Sequence, residues 1–188
     1  ADILLGKVNP SGKLNVSFPR STGNTPCFYN HFVTDREESF DQPGTPEEPK
    51  GHYIFDKPEP LWNFGHGKSY TTFDYVDCAL SDTLLVASDT LKVSVTIKNT
   101  GRRDGKEVVQ LYVRDKVSTV ATPIQQLKAF QKELVPVGYT REVKLVLPIA
   151  ELALYNADME EVIEPGEFEL QIGSASDDIR IRRTIIVR

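Results

Sequence analysis

The sequence predicts a mainly β protein whose larger part is an antiparallel β-sandwich of about 115 residues, a usual size for such a domain. From residue 70 onwards apolar and polar residues alternate with a period of two, which is typical of strands with one buried side. Turn residues separate these short segments, and no long helical pattern interrupts them. The residues before 70 are rich in Pro, Gly, Asn and aromatic side chains and show little periodicity after Phe18.

Several segments of the second part carry the strand pattern, and turn signals separate them. In the segment 107–114, Val109, Leu111 and Val113 lie on one side and Val108 and Tyr112 on the other. The predicted strands are residues 91–97, 107–114, 143–147, 168–172 and 179–187, with strand-forming residues also at 70–75 and a helical turn between 150 and 154.

The first residues have the pattern of a helix end, because Leu4 and Leu5 are apolar and Gly6 stands at the usual stop position. A strand-like piece follows from Lys13 to Phe18 and is closed by Pro19. We therefore expect the chain to begin inside a larger fold.

The segment from Glu37 to Pro60 is dense in proline, with acidic pairs between the prolines. Proline at this density excludes a helix or a central strand, so the segment is predicted to be a long surface loop. This loop divides the chain into an N-terminal part, residues 1–36, a Pro-rich linker, residues 37–69, and the sandwich, residues 70–188. Loops of this length are usually functional or serve as linkers.

Composition excludes several classes of function. A formal net charge of −5 and a pI near 5.3 argue against a general nucleic-acid binder, which needs a basic surface. No apolar run approaches the roughly 20 residues of a membrane-spanning helix. Cys27 and Cys78 lie far apart without metal-like spacing, and two unpaired thiols are favoured over the alternative of one disulfide.

The sequence contains no complete motif for nucleotide binding, metal binding or acid–base catalysis. Gly67-Lys68-Ser69 resembles the end of a phosphate-binding loop, but Trp62 occupies the position of the required first glycine, and a strand pattern follows instead of a helix. The histidines have no metal-ligand spacing, and the adjacent acidic pairs do not define an acid and a base across a bond. These histidines are His31, His52 and His66. We expect no metal site, no cofactor and no catalytic residue in this chain.

One group of residues has the composition of a sugar site. Tyr29, Asn30, His31 and Arg36 combine an aromatic ring with polar groups that suit stacking on a sugar and hydrogen bonding to its hydroxyls. The alternative, that these residues pack the loop and cap its turns, is the favoured interpretation.

Three stretches resemble the family 3 glycoside hydrolases, the group of β-glucosidases and β-xylosidases. Ala1 to Arg20 is similar to the family's segment near the end of its α/β sandwich domain. Pro60 to Phe73 is similar to the link into its C-terminal fibronectin type III-like domain, and Val93 to Arg114 with Glu164 to Phe168 is similar to strands and turns of that domain. Two departures are Lys68, where the family usually has an apolar residue, and Trp62, where Tyr is frequent.

The resemblance implies a fibronectin type III-like, immunoglobulin-like sandwich over residues 70–188 and a remnant of an α/β sandwich domain over residues 1–36. It also implies a retaining mechanism with an Asp nucleophile on a barrel and a Glu acid/base on the second domain, both upstream of Ala1. The chain is therefore expected to be inactive alone. Its implied partners are those upstream domains and, through them, β-linked glucosides or xylosides, in the periplasm or outside the cell.

We expect the sandwich to stiffen an active site that is shared between the upstream domains. The alternative is a free-standing module that binds carbohydrate or protein, and an exposed row of aromatic residues, with Tyr112 and Tyr139 as candidates, would favour it. An independent hydrolase is disfavoured because no nucleophile and acid can be named.

Overall fold

The computed structural model describes residues 1–32, 45–47 and 59–188, and its regular structure is almost entirely β. Short 3-10 helices occur at Thr22–Asn24 and Ile149–Leu152. The strands are β1 Phe73–Leu80, β2 Leu84–Leu85, β3 Thr90–Asn99, β4 Gly105–Asp115, β5 Gln126–Val135, β6 Thr140–Pro148, β7 Leu154–Tyr155, β8 Glu161–Val162, β9 Gly166–Ala175 and β10 Asp178–Val187.

Two sheets form the sandwich. One contains three strands in the order β1-β3-β6, and the other contains five in the order β2-β10-β9-β4-β5. Every pairing is antiparallel except that of β10 with the short β2. A separate small hairpin joins β7 and β8. In the larger sheet β4 is an interior strand next to the edge strand β5, since it pairs with β9 on one side and β5 on the other.

The core lies between the two sheets and follows directly from the alternating pattern. On β3, Leu91, Val93, Val95 and Ile97 are completely buried, while the residues between them face outwards. They pack against the inward residues of the larger sheet, among them Leu111. Each such side chain contributes about 1.5–3 kcal/mol relative to an exposed one.

The predicted sandwich is confirmed, and each predicted strand segment lies within or largely overlaps an observed strand. The two predicted faces of β4 are also confirmed, because Val109, Leu111 and Val113 belong to the core and Val108 and Tyr112 do not. The helical turn predicted between residues 150 and 154 is observed as a 3-10 helix at Ile149–Leu152.

The N-terminal predictions hold only in part. Leu5 N–H donates to the carbonyl of Ala1 at 3.0 Å, and Gly6 has a positive φ of 70°, so one turn closes before a glycine stop. Residues 13–18 do not form the expected strand; Phe18 makes an isolated bridge to Trp62 instead. Only Leu14 and Phe18 of this piece exchange backbone hydrogen bonds with residues 61–66, which is too few for a strand.

Both cysteines are free thiols, as favoured from the sequence: Cys27 is half-buried and Cys78 is buried in the core. Burial raises the pKa of each thiol. Within residues 1–32, 45–47 and 59–188, no helix is both long and apolar enough to cross a membrane.

Candidate functional site

Residues 1–32 and 59–69, called the lead below, run along the sandwich and cover part of its larger sheet. The evidence is that β4 is buried on both faces: Tyr112, which points away from the core, is 0% exposed, and Gln110 on the same face is 3% exposed. The outer face of a sheet is normally wet when only one side packs on a core. The lead therefore supplies a second packed layer.

Three aromatic rings form the centre of this layer. Tyr29 stacks on Phe64, with ring centroids 4.1 Å apart and planes at 18°. Both rings meet Tyr112 of β4 edge to face, at 5.9 Å from Tyr29 and 6.5 Å from Phe64. Offset and edge-to-face pairs of this kind contribute about 0.5–1.5 kcal/mol each beyond the area that they bury. The cluster fastens the lead to the sheet.

Hydrogen bonds complete the aromatic cluster. The Tyr112 hydroxyl donates to Oε1 of Gln110 at 2.5 Å, and Nε2 of Gln110 donates to the carbonyl of Ser174 at 2.5 Å. Gly65 lies directly above, with φ at +81°, and a Cβ there would collide with Oε1 of Gln110 and stand 3.0 Å from the Cα of Ala175. Glycine is thus required at this position for both its backbone conformation and its lack of a side chain.

A second set of contacts ties the start of the lead to the turn between β3 and β4. A guanidinium N–H of Arg103 donates to the carbonyl of Gly6 at 2.5 Å, and the same guanidinium lies 5.6 Å from the ring centroid of Tyr70. The Tyr70 hydroxyl donates to the carbonyl of Ile3 at 2.8 Å. One arginine and one tyrosine therefore hold the first turn of the chain.

Asn99, at the end of β3, is completely buried and satisfies four polar groups. Its Oδ1 accepts from the Thr71 hydroxyl at 2.6 Å and from the Gly101 N–H at 3.1 Å. Its Nδ2 donates to the carbonyls of Arg103 at 2.7 Å and Val135 at 2.8 Å. Because buried polar groups are costly when unpaired, this side chain fixes the turn that receives the lead.

Glu107 is a buried carboxylate at the edge of the core, 5% exposed. Its Oε1 accepts from the Tyr75 hydroxyl at 3.1 Å and lies 3.6 Å from Nζ of Lys13, a lead residue. Burial raises the pKa of Glu107, and the positive charge of Lys13 opposes that rise. Burial, followed by the negative charge of Glu107, raises the pKa of Tyr75. Lys13 of the lead thus supplies the positive charge that pairs with the buried Glu107 carboxylate.

The other side of the lead exposes apolar residues. Ten of the 23 exposed large hydrophobic residues in the described chain lie in the lead, which makes up only about a quarter of it. Phe18 and Trp62 are representative: their backbones bond at 2.8 Å and their rings meet edge to face at 5.8 Å, yet they are 42% and 46% exposed. Concentrated exposed apolar surface is typical of a surface that another polypeptide covers.

The proposed sugar-contacting residues have different environments. Tyr29 is turned inwards in the aromatic cluster, and its hydroxyl accepts from the Leu127 N–H at 3.2 Å. Asn30 is half-buried, and His31 is exposed with Nδ1 at 3.0 Å from the carbonyl of Phe32. Arg36 lies outside the described residues. A sugar-binding role for these residues stays a prediction.

Tyr112 is not one of a row of exposed aromatic residues, because the lead buries it completely; Tyr139 is 62% exposed. The sequence signal for the covered face is the nearly continuous apolar run from Val108 to Val113, interrupted only by Gln110, which alternation alone does not explain. Within the described residues, no three His, Cys, Asp or Glu side chains come together in a group that could hold a metal ion.

Comparison with known proteins gives two family matches. Residues 1–70 match the glycosyl hydrolase family 3 C-terminal domain, and residues 107–176 match a fibronectin type III-like domain. A periplasmic β-glucosidase from Salmonella typhimurium is 38% identical over 96% of this chain, and a β-xylosidase from Formosa agariphila is 39% identical over 96%.

A solved structure has the same fold over the whole length of this chain. The β-glucosidase from Listeria innocua, crystallised with glucose, is 36% identical, covers 100% of this chain and superposes with a TM-score of 0.86. The chain accounts for 25% of that protein, and for 23% and 24% of the Salmonella and Formosa enzymes. It thus spans about a quarter of the length of these relatives.

Proposed function

The chain belongs to the C-terminal part of family 3 glycoside hydrolases. We propose that it is the non-catalytic end of a retaining β-glycosidase. Its role is to stabilise an active site that is built between upstream barrel and α/β domains. The parent would act on β-linked glucosides or xylosides, as the names of the β-glucosidase and β-xylosidase relatives suggest. This chain alone would be inactive.

The observation that carries the proposal is the two-sided character of the lead. One side is fastened to the sandwich by the Tyr29–Phe64–Tyr112 cluster. The other side leaves Phe18 and Trp62 about half exposed. A segment with one side packed and one apolar side open is suited to join the sandwich to a further apolar surface.

A rigid contact between the lead and a further domain would matter for an active site that is shared by two domains. A retaining glycosidase holds its two carboxyl groups about 5–5.5 Å apart. Positioning of reacting groups contributes several kcal/mol to catalysis, and small errors in their geometry are costly. A rigid sandwich docked beside the domain boundary would limit relative motion of the domains and so protect the rate.

A periplasmic or extracellular location is part of the same proposal. It is supported by the periplasmic β-glucosidase of Salmonella typhimurium among the relatives. The fold does not require an oxidising environment, because neither Cys27 nor Cys78 is held in a disulfide. The two free thiols are therefore compatible with the periplasm and with the outside of the cell.

The test is made in the full-length protein that carries this chain. Trp62→Asp places a charge on the exposed side of the lead, whereas Tyr155→Asp, on β7, replaces an aromatic residue that is also exposed, 60% against 46% for Trp62. We expect Trp62→Asp to lower the temperature at which hydrolysis of an aryl β-glucoside or β-xyloside is lost, and Tyr155→Asp to leave it unchanged. Deletion of residues 70–188 without loss of thermal stability or activity would refute the stabilising role.

The second candidate is a free-standing module that binds carbohydrate or protein. The exposed ring of Tyr139 is the observation in its favour. An immunoblot of source cells separates the two proposals: a native band several times heavier than 21.1 kDa supports the end of a larger enzyme, and a band at 21.1 kDa supports the module.

A further inference from the structure

A cleft of about 510 Å³ opens where the lead meets one end of the sandwich. Ligand sites in proteins have volumes of about 300–1,000 Å³. The walls come from four parts of the chain: Gly12 and Lys13 of the lead, Tyr75 of β1, Glu107 of β4 and Arg180 of β10. The cleft exists only because the lead is folded against the sandwich, so it is a feature of the complete chain.

The most informative group in the cleft is the carboxylate of Glu107. Its contacts with Tyr75 and Lys13 both involve Oε1, and Oε2 accepts no hydrogen bond from any described residue. An ionised carboxylate offers about four acceptor positions. The Glu107 side chain is only 7% exposed and lines the cleft, so its free acceptor positions are available to an occupant of that space.

A donor stands on the β10 wall of the same cleft. Arg180 donates from Nε to Oδ1 of Asp178 and from Nη2 to Oδ2 of Asp178 at 2.7 Å, which leaves Nη1 without a hydrogen bond to the described residues. Ser174, whose hydroxyl donates to Asp178 at 2.8 Å, also lines the cleft. The cleft thus offers a fixed acceptor and a fixed donor, each held by other side chains.

The charged side chains of the walls nearly balance, with four cations against three anions, which favours a neutral occupant. Lys13 is paired with Glu107 and Arg180 with Asp178, and the remaining charges are the exposed Lys68, Lys106 and Asp74. An anion would meet the buried carboxylate, and a cation would meet the lysines. The hydroxyls of the walls add donors and acceptors without charge; they come from Ser11, Ser69, Thr71 and Thr72.

We propose that this cleft binds a neutral polyhydroxylated ligand, a single sugar unit, with Oε2 of Glu107 accepting from one hydroxyl and Nη1 of Arg180 donating to another. Paired acceptors and donors of this kind suit vicinal hydroxyl groups. The inference does not depend on the proposed function, because the cleft lies within this chain and binding is measured on the chain alone.

The experiment is a titration of the isotopically labelled 188-residue chain with D-glucose and D-xylose to about 50 mM, followed by amide chemical shifts, because single sugar units bind weakly. We expect saturable shifts confined to the cleft, at the amides of Gly12, Lys106 and Arg180. Glu107→Gln replaces an acceptor by an amide and is expected to weaken binding about tenfold, the effect of losing one hydrogen bond to a charged group.

A second variant does not disturb the buried carboxylate. Gly12 lines the cleft and a Cβ there meets nothing within 4 Å, so Gly12→Leu adds a bulky side chain to the cleft wall without altering the core. Gly23→Leu is the matched control, because a Cβ there meets only the Ser21 hydroxyl at an ordinary 3.7 Å and Gly23 does not line the cleft. We expect Gly12→Leu to abolish the shifts and Gly23→Leu to preserve them.

The proposal is overturned by any of three results. These are shifts that do not saturate or lie outside the cleft, equal affinity in Gly12→Leu and the unsubstituted chain, and tighter binding of inorganic phosphate than of either sugar at the same amides. The last result would make the cleft an anion site.

Discussion

The ring of Tyr29 lies 4.1 Å from the ring of Phe64 and nearly parallel to it. The two residues stand before and after the Pro-rich segment in the sequence, and both lie on the outer face of β4 against Tyr112. Each end is also fixed by its backbone: Ile124 N–H donates to the carbonyl of His31 at 2.9 Å, and Ser176 N–H donates to the carbonyl of Phe64 at 3.0 Å. The described residues before and after that segment are therefore held at one place on the sandwich.

The first prediction concerns this aromatic cluster. Phe64→Ala removes contacts to Tyr29 and Tyr112, and we expect a loss of about 2–3 kcal/mol in the free energy of unfolding, less than the 3–5 kcal/mol of a fully buried Phe. Phe28→Ala, at a site that is 63% exposed, is the control and should change stability little. Urea denaturation followed by tyrosine fluorescence measures both, and equal effects would contradict the role of the cluster.

A second prediction separates two reasons for a glycine. Gly65 and Gly138 have similar positive φ angles, 81° and 75°, but a Cβ collides with neighbours only at Gly65 and meets nothing within 4 Å at Gly138. Gly138→Ala should cost about 1 kcal/mol through backbone strain alone. Gly65→Ala should cost clearly more, because the Gln110 side chain must also move. Thermal denaturation of the two variants provides the comparison, and similar melting temperatures would remove the packing argument.

The third prediction concerns Asn99. Asn99→Ala leaves the Thr71 hydroxyl and two carbonyls without their partners in a buried place, and we expect a loss of about 3 kcal/mol. Asn15→Ala, at an exposed position of the lead, is the control. Hydrogen exchange should show faster exchange of the Gly101 amide in Asn99→Ala only. Unchanged protection at Gly101 would mean that the turn does not depend on this side chain.

The fourth prediction concerns pH. Burial raises the pKa of Glu107, so the folded state binds more protons than the unfolded state between the ordinary glutamate pKa and the raised one. The contribution of Glu107 to stability is therefore largest below that window and falls as the pH rises through it. Glu107→Gln removes this dependence, so the variant should become more stable relative to the unsubstituted chain as the pH is raised from acid to neutral.

The measurement is the melting temperature of both proteins over a pH series. Glu142→Gln, which removes a carboxylate exposed on β6, serves as the control for the loss of one charge. Other carboxyl groups act in the opposite direction, since the pKa of Asp178 is held below its usual value chiefly by the hydrogen bond from Arg180. For this reason the difference between variant and parent is the quantity to compare, and a constant difference would contradict the prediction.

The sandwich could be predicted because its strands carry their own pattern. β3 is the clearest case: its buried residues alternate strictly, and the turn signal Asn99-Thr100-Gly101 follows at once. β5 was not predicted. It is an edge strand whose two sides are both partly open, and Leu127, Phe130 and Leu134 stand at helix-like spacing. Pairing with β4 overrides that local pattern, and such pairing is not visible in a single segment.

The candidate site was harder to predict than the fold. The sequence placed Tyr29 in a predicted sugar-contacting group and did not indicate its packing, because its neighbours Phe64 and Tyr112 are distant in the sequence and no local spacing links them. The same is true of Glu107 and Lys13, whose pairing requires the lead to lie on the sandwich. Contacts between distant segments depend on the path of the chain, which the periodicity of each segment does not contain.

The covered face of β4 has a consequence for how this polypeptide can be cut or recombined. A boundary drawn at residue 70 looks natural from the strand pattern, yet it would remove the layer that covers Tyr112 and Gln110 and leave an exposed, partly apolar sheet surface. The transferable unit is therefore the sandwich together with the lead. Engineers who graft this C-terminal part onto another enzyme should move both, and a shorter graft should aggregate even though every strand is present.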